Sequence, residues 1–256
     1  MTEESQVVIY SVEDSIAHIT LNRPEKRNAL NDEVVNRLRA ALDEAQGDEA
    51  VRVVVIAGAG KDFCSGADLS ALQRMSDASV AEHVDDATSM MQLFLMIRQA
   101  RMPVIAAVQG RALAGGCGLA TACDIVLASA SARFGYPEVK IGFVPAMVMA
   151  VLRRNVSEKR AFELITRGVE IGAEEAKQLG LINQVFPDEN FAANLENYAS
   201  GFQKLSPSAL ALSKTLLYQM DSMTFFESLQ AGLDVNVIAR MTEDCKAGIA
   251  QFLAKP

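Results

Sequence analysis

Residues 7–24, VVIYSVEDSIAHITLNRP, alternate apolar and polar side chains on either side of Glu13-Asp14. A period of two turns one face of each strand inward, so the segment predicts a hairpin ending at Pro24. The period then lengthens: Val34, Val35, Leu38, Ala41 and Leu42 recur at helical spacing between Asn31 and Gln46, with Asn31 or Asp32 as the cap. Three short, nearly continuous apolar runs follow, VRVVVIAG from 51, PVIAAVQG from 103 and DIVLAS from 124. Such runs suit strands covered on both faces, and the helical stretches between them predict an α/β core with right-handed crossovers.

From about Ser157 the pattern turns helical through SEKRAFELITRG, GAEEAKQLGL and long amphipathic stretches from Asn190 onward, with turn signals at Pro187 and Pro207. The expected organisation is an α/β core over 1–195 and a helical region over 196–256 that packs on the core or on a neighbouring subunit. With 256 residues, half of them hydrophobic, the chain is long enough for one main core.

Composition narrows the function classes. Twenty-four basic against thirty-two acidic side chains leave a net charge of -8 with no long basic run, which argues against a nucleic-acid surface. Any anionic ligand must then be held by local positive charge. The four cysteines form no CxxC pair and follow no secretory signal, so a reducing cytoplasm is expected. No metal site is expected, since only His18 and His83 are available beside them. Arg101 and Pro103 interrupt the Met-rich stretch 90–97 before it approaches the roughly 18 residues a membrane span needs. A soluble cytoplasmic protein without membrane partners is the expectation.

LAGGCGLA, residues 113–120, places three glycines where a strand gives way to a helix starting near Gly115. Two readings stand: the glycines permit close helix packing, or they let a ligand approach the unpaired N–H groups of the helix start. A phosphate loop is excluded because no Lys-Ser or Lys-Thr follows, and the spacing of a dinucleotide fingerprint is absent. AGAGKDFCSGADLSAL, residues 57–72, makes a similar turn after the strand at Val53 and enters a helix near Asp68. Two strand ends with free N–H groups suit one developing oxyanion between them.

The segments NRPEKRNAL, GKDFCSGADL, ALAGGCGLATACDIVLAS and FGYPEVKIGFVP occur in the order and at about the separations of the enoyl-CoA hydratase/isomerase, or crotonase, family, which the chain resembles from about residue 5 onward. The resemblance implies a crotonase-like fold of repeated ββα units with a helical C-terminal region, assembled as a homotrimer or homohexamer. It implies an acyl-CoA thioester substrate, coenzyme A entering as part of that substrate, with no separate cofactor. The oxyanion donors of the family fall on the backbone N–H groups of Ala67 and Gly115. Lys26, Ala29, Asp68 and Leu69 fall on positions that hold the CoA part, with Arg23 and Arg27 adding charge. Asp68 is also expected to cap the helix whose start presents Ala67.

Family hydratases resemble one another in two glutamates. The second matches Glu138 in FGYPEVKIG; the position of the first, three residues past Gly115, holds Gly118. Hydration needs an oxygen nucleophile at the β carbon and a proton at the α carbon, whereas one carboxylate suffices to move a proton from α to γ carbon through a dienolate. Double-bond isomerisation is therefore placed ahead of hydration. A non-catalytic acyl-CoA-binding protein is the alternative from another class. The apolar flanks Phe134, Val139 and Ile141 predict a partly buried Glu138 with a raised pKa. Tyr136 lines the acyl pocket, hydrogen-bonds a substrate group, or packs with its hydroxyl at the rim. The dehalogenase branch has an aspartate where this chain aligns Ala146, which disfavours dehalogenation. Asp124 reads as a structural cap or turn, and His18 and His83 as structural or exposed. Leu72, Met75, Met90, Met91, Phe94 and Met96 serve either core or acyl channel.

Overall fold

The computed structural model describes residues 6–254. β1 (Val8–Glu13) and β2 (Ile16–Leu21) form the opening hairpin. Asp14 and Ser15 both have positive φ, 47° and 66°, as a two-residue turn matched to strand twist requires. α1 (Asp32–Gly47) starts at Asn31, whose side chain accepts the Val34 N–H. β3 (Val53–Gly58) leads to α2 (Leu69–Arg74) and to α3 (Val80–Gln99), the latter opened by a reciprocal Ser79–Glu82 cap. Then come β4 (Val104–Val108), β5 (Arg111–Leu113), α4 (Gly115–Ala122), β6 (Ile125–Ser129) and β7 (Arg133–Gly135). A 3-10 turn at Pro137–Ile141 precedes α5 (Ala146–Asn155) and α6 (Glu158–Arg167). β8 (Glu170–Gly172), α7 (Ala173–Gln178), β9 (Gln184–Phe186), α8 (Phe191–Ser200), α9 (Pro207–Gln219), α10 (Phe225–Met241) and α11 (Glu243–Leu253) complete the chain.

β1-β2-β3-β4-β6-β9 make one sheet, parallel except for the hairpin, and β5-β7-β8 make a second, smaller sheet. Successive ββα units, β4-β5-α4 and β6-β7-α5, each give one strand to each sheet. The period of two divides the core. Val54, Ile56, Val104, Ala106, Val126 and Ala128 face the larger cluster with α1, α3 and α4, while Val53, Val55, Ile105, Ala107 and Leu127 face a smaller one under Phe191 and Ala199 of α8.

One expectation needs correction. The region after Ser157 is not wholly helical: β8 joins the small sheet and β9 the edge of the large one. The 195/196 division falls inside α8, whose Ala199 is still fully buried. Beyond it, α9, α10 and α11 contribute no buried residue, and Phe225, Phe226 and Phe252 stand largely exposed. No helix among the described residues is long and apolar enough to cross a membrane.

Candidate active site

The two glycine-bearing turns meet. Cys64 bridges Ala112, with the Cys64 N–H donating to Arg111 O at 3.0 Å and the Leu113 N–H donating to Cys64 O at 2.9 Å. Gly66 has φ +94°, and a Cβ there would stand 2.7 Å from Ala114 Cβ and 3.3 Å from Gly115 N, so only glycine lets the turns touch. On the other side Leu30 pairs with this segment: its N–H donates to Gly66 O and its carbonyl accepts from the Asp68 N–H, both at 2.8 Å. N–H groups alternate in direction along an extended chain, so the Ala67 N–H points away from Leu30. Gly115 is the first residue of α4, preceded by Ala114 at φ +50° with no side-chain cap. Among the described residues neither the Ala67 nor the Gly115 N–H has a hydrogen-bond acceptor.

The glycines of α4 divide the two sequence readings between them. A Cβ on Gly115 would meet only Leu30 Cδ1 at 3.7 Å, an ordinary contact, so this position opens onto space. A Cβ on Gly116 would lie 2.3 Å from Cys64 O, which makes this glycine a packing requirement. A Cβ on Gly118 would lie 2.0 Å from Val148 Cγ1. No side chain fits at 118 while Val148 keeps its place.

Glu138 sits in the 3-10 turn after β7, held by the Phe143 N–H donating to its carbonyl at 3.0 Å. Its side chain is buried and Oε2 has no hydrogen-bond partner. Burial raises its pKa above the ordinary carboxylate range, against a smaller opposing effect of its own backbone N–H. The expected cause differs in part, because Val139 and Ile141 are 40% and 62% exposed and only Phe134 is buried. Tyr136 is wholly buried with an unpaired hydroxyl, which corrects the rim placement. Burial, then the neighbouring Cys117 thiol, drives its pKa well upward.

The first segment is internally braced. Asn28, at φ 55° and almost fully buried, donates through Nδ2 to Ala59 O at 2.9 Å and Asp62 O at 2.7 Å. Arg23 donates to Ala29 O at 2.8 Å and pairs with Asp68 at 3.0 Å, so its charge is used inside the fold. Asp68 accepts the Ser70 N–H at 3.0 Å, the expected cap. Burial would raise its pKa, but hydrogen bonds from Arg23 and from the Ser70 and Ala71 N–H groups together hold it below the usual value. Lys26 and Arg27 are exposed on this turn, Ala29 is buried, and Leu69 is 63% exposed.

Other candidates lie elsewhere. Asp124 does more than end a turn: it accepts from the Val104 N–H at 2.6 Å, from Lys214 at 2.7 Å and from the Tyr218 hydroxyl at 2.5 Å, joining α9 to the core. His18 lies in β2, His83 in α3 and Ala146 at the start of α5. Burial pushes the Cys64 and Cys117 thiols up to about 12, far from a reactive thiolate. A concavity of about 530 Å³ is lined by Lys61, Gln109, Arg111, Arg133 and Asp188 among others, and Ala67, Gly115 and Glu138 are not in its lining.

The family model for enoyl-CoA hydratase/isomerase matches residues 11–256. The chain belongs to the enoyl-CoA hydratase/isomerase family. It is 40% identical to a putative enoyl-CoA hydratase of Thermus thermophilus over 94% of this chain and 95% of that one. It is 36% identical to the 2,3-dehydroadipyl-CoA hydratase of Escherichia coli, over 97% and 96% of the two chains. The crystal structure of an enoyl-CoA hydratase from Mycobacterium smegmatis superposes with a TM-score of 0.92 at 30% identity, covering 97% of this chain and 96% of that one. The chain thus has the crotonase fold of a family of acyl-CoA-processing enzymes.

Within this crotonase fold, sequence reasoning missed the contact of Gly118 with Val148 and the use of Arg23 by Asp68. Thirty residues separate the first pair and forty-five the second, beyond the reach of any local period. The burial of Tyr136 had one signal, its place directly between the buried β7 and Pro137.

Proposed function

We propose that this family member is an enoyl-CoA isomerase working through one carboxylate. The Ala67 and Gly115 N–H groups bind the thioester oxygen as negative charge develops on it, which typically contributes about 2.7–4 kcal/mol per donor. Glu138 takes a proton from the α carbon of a 3-enoyl-CoA and returns it to the γ carbon. The electron pair of the broken C–H bond moves into the dienolate, and the double bond re-forms in conjugation with the thioester. The observation that carries this reading is the buried, unpartnered Oε2 of Glu138. A raised pKa suits a group that must both take and give a proton.

Lys26, exposed on the Pro24–Lys26 turn, is assigned to the CoA phosphates, while Ala29, Asp68 and Leu69 frame the same approach. Asp68 acts there by capping α2 behind Ala67. The proton transfer as written uses no metal or nicotinamide; coenzyme A arrives on the substrate. Exposed Phe225, Phe226 and Phe252 on α10 and α11 support packing against further copies of the chain, which we assign to a homotrimer or homohexamer. Hydration remains the second reading, favoured by the names of the Thermus and Escherichia relatives.

The test is to incubate the protein with a 3-enoyl-CoA and, separately, a 2-enoyl-CoA and follow conjugated-thioester absorbance. Gain with the first and no loss with the second is expected. Loss with the second, yielding 3-hydroxyacyl-CoA, contradicts the isomerase reading and establishes hydration.

A further inference from the structure

Gly118 lies three residues past Gly115 on α4, and helical residues at this spacing share a face. The surface above Gly118 therefore continues the space onto which Gly115 opens. That continuation is hydrocarbon: Val148 Cγ1 stands 2.0 Å, and Phe94 Cζ 3.3 Å, from the place a Cβ on residue 118 would take. Val148 comes from α5 and Phe94 from α3, and both are buried. Neither offers a hydrogen bond to a water, and together they leave no volume for a polar side chain at 118 that would.

We propose that Val148, backed by Phe94, determines the reaction of this site by closing the slot beside Gly118 against water and against a second carboxylate. The inference rests on the isomerase reading above. In hydration a water oxygen bonds to the β carbon, the C=C electron pair moves into the thioester enolate, one proton of the water goes to a base and the α carbon gains a proton. Glu138 can hold one proton at a time, and the Val148 wall holds no water where the β carbon needs it. Proton transfer within the acyl chain is what remains.

The experiment compares wild type with Val148→Thr, Val148→Ala and Val151→Ala, each given a 3-enoyl-CoA and a 2-enoyl-CoA. Val148→Thr keeps the volume and adds a hydroxyl able to hold water; Val148→Ala opens the slot. Val151→Ala removes the same atoms from a buried position of the same helix that is not among the atoms nearest Gly118. Both Val148 variants are expected to raise the ratio of hydration to isomerisation about tenfold or more, a barrier difference of about 1.4 kcal/mol, and Val151→Ala to leave it unchanged. Val148→Thr carries the test if Val148→Ala does not fold. A wild type that isomerises beside Val148 variants of unchanged ratio overturns the role of Val148 and leaves the isomerase reading standing. A wild type that hydrates as fast as it isomerises overturns that reading and the closed wall with it.

Discussion

At its N-terminal end α4 has no side-chain cap, a strained Ala114 and a Gly115 N–H with no acceptor among the described residues. Just past its C-terminal end, Asp124 accepts from Val104, Lys214 and Tyr218, and Lys214 also donates to Ile97 O at 2.8 Å and Met102 O at 3.0 Å. One end leaves polar groups unsatisfied and the other satisfies nearly every one it has. Unpaired buried donors and acceptors cost stability and are few in folded proteins. The Gly115 N–H at the open end is half-buried and free to meet a ligand, while the closed end ties the helix to the core. The C-terminal helices serve the same division, since Lys214 and Tyr218 on α9 reach into the core although the rest of α9–α11 buries nothing.

The sharpest break of this contrast is at the open end. Glu138→Gln keeps the shape of the side chain and removes its basicity, and the rate on a 3-enoyl-CoA is expected to fall by about 10²–10⁴. The same substitution is expected to alter stability with pH. A carboxyl whose folded pKa is raised favours the neutral form, so its stabilising contribution is full below the ordinary value of 4.5 and is lost as pH rises through the higher folded value. Glutamine is neutral throughout, so the variant should gain stability over wild type as pH rises across that window. Urea midpoints at several pH values check this; an equal difference at every pH contradicts it.

Next in size is the closed end. Asp124→Ala strands the Lys214 ammonium, whose side chain is only 9% exposed, and breaking a buried pair costs about 3–5 kcal/mol. Urea unfolding measures it, and a loss under about 1 kcal/mol would show that the joint between α9 and the core is not structural. The two glycines of α4 then give a paired comparison. Gly118→Ala drives a methyl into Val148 and is expected to lose about 1–3 kcal/mol through overpacking. Gly115→Ala meets only Leu30 Cδ1 at 3.7 Å, and its stability should stay within about 0.5 kcal/mol of wild type. Equal losses at the two positions would erase the distinction between an open and a packed glycine.

Much of this was legible in the sequence, for physical reasons that also set its limits. Val53–Gly58, Val104–Val108 and Ile125–Ser129 are continuous apolar runs because helices cover both faces of their sheet. The strands β5, β7, β8 and β9 are three residues long, too short to display a period, so the residue pattern alone does not show the second sheet. The two glycine-bearing turns announced themselves through small residues at the ends of predicted strands. The burial of Glu138 is expected from three neighbours of which two, Val139 and Ile141, are exposed, because a 3-10 turn points successive side chains in three directions. What fills the slot over Gly118 was not readable, since the volume match between residues 118 and 148 exists only after α4 and α5 pack.

The central claim is that Glu138 moves a proton at the α carbon of an acyl-CoA held by Ala67 and Gly115. Its most direct test is loss of deuterium from the α carbon of an α-dideuterated 3-enoyl-CoA, read by mass spectrometry for wild type and Glu138→Gln at equal concentrations of folded protein. Loss of α deuterium, to the γ carbon or to solvent, with wild type and background levels with the variant is the expected result. Equal loss with both proteins, or none above background with either, would contradict it.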